Sequence, residues 1–259
     1  MSSAWAWLDD ARRSASQMRD PARMALFAED GGDPIGSIEP VLERRLLAAG
    51  MPLRSCGEGC CVDGPLDPSL AAIARWLDTN GLAAPWRDEL LAVTTSRGAQ
   101  VGVIERAVVR VLGIATVAVH LVGVTDDGRF WVQQRAFGKA IDPGLWDTLM
   151  GGQVAAGESI DTTLERESME EAGLAVVDLV DLQRRDDVVV RRAVAEGDLD
   201  ERIAVYRARL PGPLVPVNRD GEVERFDCLT RDALIERLAA GAFTLEATLI
   251  LGAELERGD

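Results

Sequence analysis

The sequence predicts an α/β fold preceded by a smaller, mainly helical α+β region, and three observations carry that reading. Strand-length apolar runs are interspersed with helix-spaced segments from about residue 113 onward. Helical spacing dominates the first 112 residues. The chain's 259 residues, 47% of them hydrophobic, suffice for one large domain or two modest ones. We therefore divide it into residues 1–112, an N-terminal domain of unknown role, and residues 113–259, which carry the recognisable chemistry.

In the first region, Leu42 to Ala49, Leu70 to Leu77 and Val103 to Leu112 have helix-like spacing, whereas Glu89 to Thr94 reads as a strand. Loops such as GGDPIG and GEGCCVDGPLDP interrupt it. In the second region, ATVAVHLVGV is a strand, DDG a turn, and FWVQQR the next strand. Ala175 to Leu182, Val188 to Val194, Ile203 to Leu210 and GEVERFDCL read as further strands. Helices are expected over Arg231 to Ala240 and Leu245 to Glu256.

The most informative stretch runs from Gly152 to Leu174, GQVAAGESIDTTLERESMEEAGL. Ser159 is a good helix N-cap, because its hydroxyl can accept from a free amide of the first turn. Gly173 stands where a left-handed C-cap is wanted. A helix over Ile160–Ala172 follows, with Ile160, Leu164 and Ala172 turned inward. On it, Glu167, Glu170 and Glu171 are surface neighbours, since residues three or four apart lie about 5–6 Å from one another. Like charges so crowded call for a cation, and oxygen ligands suit a hard one, Mg²⁺ or Mn²⁺. Arg166 can pair with Glu170 or reach Glu158. A solvated acidic helix face is the plain alternative, but it explains neither the glycines nor the Arg166–Glu167 pair.

The segment resembles the Nudix box, GX5EX7REUXEEXGU, through Gly152, Glu158, Arg166, Glu167, Glu170, Glu171, Gly173 and Leu174. Ser168 departs from it, standing where a bulky apolar residue is usual. The resemblance implies an α/β/α sandwich with a mixed sheet. It implies metal binding by Glu167, Glu170 and Glu171, with the Gly151 carbonyl as a further ligand and Glu158 and Arg166 in support. It also implies a further carboxylate from outside the box, for which Glu222 or Glu224 are candidates on one strand face, against an ordinary solvent-facing edge. The flanking runs VIERAVVRVLGIATVAVHLVGV and FWVQQRAFGKAIDPGLWDTLMGGQVAAGES, with VPVNRDGEVERF, look like the Nudix hydrolases related to thiamine pyrophosphokinase. In those, an N-terminal domain of uncharacterised role precedes the hydrolase domain.

Lys139, the only lysine, and Arg135 are the candidate diphosphate contacts. Trp131, Phe137 and Trp146 could stack on a planar ring, with Trp146 the first choice because it lies nearest the double glycine in sequence. His120, the only histidine, is expected to make a structural hydrogen bond. The catalytic set is Glu171, Glu170, Arg166 and Glu158: metal-activated water attacks phosphorus while Glu171, or a carboxylate outside the box, takes the proton. The expected activity is hydrolysis of an organic diphosphate, such as thiamine diphosphate or an altered form of it. A nucleoside diphosphate linked to another moiety, as in ADP-ribose, is the alternative substrate, and a non-catalytic binding protein on the same scaffold is the alternative class. Isomerisation of isopentenyl diphosphate would need a cysteine near the site, and none lies between Cys61 and Cys228.

A net charge of −15 argues against nucleic-acid and anionic-membrane partners. No segment has the roughly 20 apolar residues of a membrane helix, and the start lacks a secretory pattern. A cytoplasmic protein with a small-molecule partner is expected, with homodimerisation left open. Cys56, Cys60 and Cys61 read as incidental reduced thiols, ahead of a zinc site and further ahead of a disulfide.

Overall fold

Two strands at the centre alternate their apolar residues between two cores, and this period of two makes the fold a sandwich. The structure, a computed structural model, describes residues 5–17, 20–57 and 59–258. From the N-terminus come α1 (Ala6–Ala15), β1 (Met24–Phe27), β2 (Pro34–Ile38), α2 (Pro40–Ala48), β3 (Leu53–Cys56), β4 (Gly59–Val62), α3 (Leu66–Thr79), β5 (Leu90–Thr94) and β6 (Gln100–Glu105). After a 3₁₀ turn at Arg106–Val108 follow β7 (Thr116–Val124), β8 (Phe130–Arg135), β9 (Trp146–Asp147), β10 (Met150–Gln153) and α4 (Ile160–Ala172). The chain ends with β11 (Val180–Arg184), β12 (Val188–Val194), β13 (Gly197–Arg209), β14 (Val223–Leu229), α5 (Arg231–Ala239) and α6 (Leu245–Arg257).

The main sheet runs β11-β13-β7-β8-β14, with β12 on β13, β10 on β7 and β9 on β8. It is mixed: β13 lies parallel to β7 from Glu201↔Thr116 to Arg209↔Val124, and the other pairs are antiparallel. Ala118 and Val122 of β7, with Ile203 and Val205 of β13, enter a core shared with α1, α5 and α6. Val119, Leu121, Ala204 and Ala208 face the other way, into a core closed by Leu164 and Ala172 of α4. The expected α/β/α sandwich is thus present.

Strand β7 separates from β8 after only two residue pairs, Gly123↔Trp131 and Val124↔Phe130. β10 then pairs with the freed length of β7, placing Gly151 opposite His120. That split delivers the double glycine beneath the box helix.

The N-terminal region is α+β as expected, but richer in strand than its periodicity suggests. β1 to β4 form a four-stranded sheet in the order β2-β1-β4-β3, packed with α2 and α3 around a core of its own. Short strands of four or five residues leave almost no alternation to read. The helix expected over Val103–Leu112 is not formed: residues through Glu105 pair with β5 as an antiparallel ladder, and the 3₁₀ turn follows. The stretch expected as a strand over Ala175–Leu182 begins as a 3₁₀ turn at Val176–Asp178. Helix α1, although it falls within 1–112, packs on the sandwich through α6 and β12.

The cysteine expectation is also corrected. The β3–β4 hairpin sets Arg54 opposite Cys61 and Cys56 opposite Gly59. Cys56 and Cys61 form a disulfide with Cα atoms 5.9 Å apart, a separation well within the usual range. Cys60 points the other way, into the core.

The N-terminal region is tied to the sandwich by contacts that include a backbone bridge and a buried ion pair. Leu91 of β5 forms a bridge with Ala155, in the loop leading to α4, and Ala156 N–H donates to the Leu90 carbonyl at 2.7 Å. Elsewhere Arg23 pairs with buried Asp198 at 3.1 Å, while Ser37 Oγ donates to the same carboxylate at 2.8 Å.

Candidate functional site

The box helix is built by its own end groups. Ser159 Oγ accepts from Thr162 N–H at 3.0 Å. Gly173 turns left-handed at φ 64°, and its N–H and that of Leu174 close on the carbonyls of Met169 and Ser168. A capped helix presents Glu170 and Glu171 at fixed angles, each about one turn from Glu167.

Arg166 gathers the carboxylates on one side. Its Nε and Nη2 hold the two oxygens of Glu158, each at 3.0 Å, and Nη1 reaches Glu167 at 2.8 Å and Glu170 at 3.0 Å. The Arg166 hydrogen bond, with help from Thr163, holds the Glu158 carboxyl below its ordinary range despite partial burial.

Glu171 is organised from the other side and is fully buried. Its Oε2 accepts from Gly151 N–H at 3.0 Å and from Gln133 Nε2 at 2.9 Å. Lys139 Nζ stands 3.5 Å from the remaining oxygen, Oε1. Burial pushes the Glu171 carboxyl up, against Lys139 and those two donors. Burial, followed by the charge of Glu171, pushes Glu167 up to about 7.

The double glycine follows from this crowding. A methyl group at residue 152 would land on the Glu167 carboxyl, and one at 151 on the His120 ring. The donor chemistry therefore fits a hard cation: carboxylate oxygens whose negative charge is penalised by burial and proximity, with a backbone carbonyl close by. Among the described residues the three glutamates do not bring their oxygens within 4.8 Å of one another. A shared ion would draw Glu167 or Glu170 from Arg166.

These groups line one cleft of about 830 Å³, whose opposite wall comes from the N-terminal region. Lys139 and Arg135 both line it, but with different tasks. Lys139 Nζ also meets Glu222 at 2.6 Å, whereas Arg135 spends its donors on the carbonyls of Ile141 and Asp142 and on Asp147. Arg135 thereby pins the loop carrying Lys139.

The structure separates Glu222 from Glu224. Glu222 precedes β14 and lines the cleft, while Glu224 is exposed and does not. The ladder shifts register between Val223 and Arg225, which breaks the alternation that would have put both on one face. Burial raises the Glu222 carboxyl, but the Lys139 hydrogen bond and the charges of Lys139, Arg87 and Arg106 outweigh it, leaving it below its ordinary range.

Trp146 is a correction. It is buried in the core with α5 and α6, its ring covered by Arg237 and Arg225. Its neighbour Asp147 takes the opposite face, because side chains alternate along β9. No aromatic side chain lines the cleft among the described residues, so Trp131 and Phe137 do not stack there either.

His120 makes the structural bond expected of it. The Thr148 hydroxyl donates to the Met150 carbonyl at 2.8 Å, so it can only accept from His120 Nδ1, 2.9 Å away. Gln133, Thr148 and Asp147 were not anticipated from sequence. The one signal available for Gln133 was a polar residue directly after the apolar run Phe130–Val132 of the strand.

Residues 115–248 match the NUDIX domain, which covers just over half the chain. The chain belongs to the NUDIX family. Among similar proteins, Nudix hydrolase 20, chloroplastic, of Arabidopsis thaliana is 31% identical over 173 residues, 61% of this chain and 43% of that protein. An isopentenyl-diphosphate Delta-isomerase of Leifsonia xyli is 30% identical over 172 residues, 64% of this chain and 90% of the isomerase. The crystal structure of DR0079 from Deinococcus radiodurans shares the fold, with a TM-score of 0.52, 23% identity and coverage of 65% and 98%. The NUDIX chain spans about half the length of the first curated relatives it matches.

Proposed function

We propose that this NUDIX protein is a Mg²⁺- or Mn²⁺-dependent hydrolase of organic diphosphates. The observation that carries the reading is that Glu167, Glu170, Glu171 and Gly151 all line one cleft large enough for such a substrate. Glu167, Glu170 and the Gly151 carbonyl would hold the metal, with Glu171 beside it, and the metal would supply an activated water and charge neutralisation at the phosphoryl oxygens. Glu222 is the carboxylate recruited from outside the box.

Glu171 is the general base. Its Oε2 is occupied by Gly151 and Gln133, so Oε1 is the oxygen left to take the proton of the attacking water. Arg166 and Glu158 fix the helix face, and Lys139 neutralises the diphosphate. Water attacks one phosphorus, the bridging P–O bond breaks, and its electron pair leaves with the departing phosphate.

A nucleoside diphosphate linked to a second moiety, of the ADP-ribose type, suits the cleft better than thiamine diphosphate. The five arginines of the N-terminal wall disfavour a thiazolium cation, and among the described residues no aromatic ring lines the walls to offset them. Isomerase chemistry is disfavoured because no cysteine lines the cleft among the described residues.

The test is a substrate panel of ADP-ribose, NADH, coenzyme A, nucleoside triphosphates, and native and oxidised thiamine diphosphate, with and without Mg²⁺ or Mn²⁺. ADP-ribose-type substrates should turn over only with metal, and Glu171→Gln should lower kcat by about 10²–10⁴-fold. Metal-independent turnover, or full activity of Glu171→Gln, would sink the mechanism. Tight binding of a diphosphate without turnover would favour the binding-protein reading.

A further inference from the structure

The N-terminal domain lines the cleft with Arg23, Arg45, Arg87, Arg106 and Arg110 against two acids, Glu39 and Glu89. This excess of positive charge is notable in a chain of net charge −15, facing a wall rich in carboxylates. Charge of one sign gathered in a concave surface concentrates ions of the other.

Not all five arginines are available to a ligand. Arg23 is buried in its pair with Asp198, and the Arg45 guanidinium sits over the Trp76 ring. Arg87 is different: 41% of its side chain is exposed, and its ion pair with Glu222, Nη1 to Oε1, is loose at 3.7 Å. Glu222 in turn meets Lys139 at 2.6 Å, and Lys139 stands 3.5 Å from Glu171. A line of alternating charges therefore runs from the N-terminal wall to the box. Arg106, which pairs with Glu89 at 2.7 Å, lines the same cleft.

The backbone under both arginines is fixed. Arg87 N–H donates to Glu105 Oε1 at 3.0 Å, Arg106 N–H to the Glu89 carbonyl at 2.8 Å, and the β5 end of this hairpin is bridged to Ala155. Beside them Leu82, Ala84, Pro85 and Val109 give the wall an aliphatic surface.

We propose that the N-terminal domain is the second half of the substrate site, with Arg87 and Arg106 gripping phosphoryl oxygens of the substrate diphosphate. This rests on the diphosphate reading above. A guanidinium fork matches two phosphate oxygens, which an ammonium group cannot do. The aliphatic patch beside the fork receives the organic moiety.

The test titrates methylenediphosphonate, a diphosphate analogue that water cannot cleave, into the full chain with Mg²⁺ by calorimetry. Arg87→Ala should weaken binding by about 10- to 100-fold, the loss of a charge-assisted hydrogen bond, and Arg87→Lys should recover only part of it. Mn²⁺ binding measured without the analogue should not weaken, and KM for a cleaved diphosphate should rise more than kcat falls. Because Arg87 is exposed and loosely paired, its variant keeps the fold, and a thermal melt verifies this; Arg106→Gln provides a second measurement. Unchanged affinity and unchanged KM in the Arg87→Ala/Arg106→Gln double variant would overturn the proposal and leave the hydrolase reading standing. Failure of the unmodified chain to bind or cleave any diphosphate would overturn both.

Discussion

The two walls of the cleft are built in opposite ways. On the box wall, neighbours along one helix do most of the work: Arg166 holds Glu158, Glu167 and Glu170, and Ser159 and Gly173 close the ends. On the N-terminal wall, each cation is placed by a distant partner, as when Arg87 is held by Glu105 and faces Glu222. A wall made of local contacts carries its chemistry wherever the helix goes. The other wall has chemistry only while two domains stay in register.

The sharpest way to break that contrast is at the joint. Asp198→Ala would leave the buried Arg23 guanidinium only the looser pair with Glu39 at 3.7 Å, at a cost of about 3 kcal/mol. Chemical denaturation should show this loss, and an unchanged midpoint would mean that the domains do not depend on one another there. Gly152→Ala attacks the local wall instead. A methyl group must displace the Glu167 carboxyl, and since small misplacements at a reacting centre can cost about 10²-fold, kcat should fall by that order with little change in Tm.

Away from both walls, Glu246 offers a pH test. Burial, then the charge of Glu201, raises its carboxyl from 4.5 to about 7. Between those values the unfolded chain gives up this proton first, so the folded state binds more protons and stability falls as pH rises. Glu246→Gln should therefore stabilise the fold by about 1–3 kcal/mol at pH 8 and by nothing near pH 4. Equal gains at both pH values would contradict the assignment. The smallest effect is expected on the box helix, where the Ser168 hydroxyl is buried and unpartnered. Ser168→Ala should add about 1 kcal/mol, visible as a higher Tm.

The contrast also explains what could be read from the sequence. Helix α4 agrees with expectation to the residue, because caps and one-turn spacing are written in consecutive positions. β8 and β12 agree likewise, their runs being bounded by turns or charges. Trp146 was misplaced because nearness to the double glycine along the chain says nothing about which sheet face a side chain takes. Gln133 was missed because its partner, Glu171, depends on how the main sheet splits. The register shift before Arg225 chose Glu222 over Glu224, and a bulge leaves no mark in spacing. Arg87 lies in no motif, and only the docking of the domains gives it a neighbour in the box wall.

The Leu91–Ala155 bridge has a mechanical consequence. It fastens the lid side of the slot to the very loop that feeds the glutamate helix, so the jaws cannot swing apart without dragging Glu158 along. A hinge opening at this edge would have to break that bridge and the Ala156 N–H bond to the Leu90 carbonyl, or carry the loop with it.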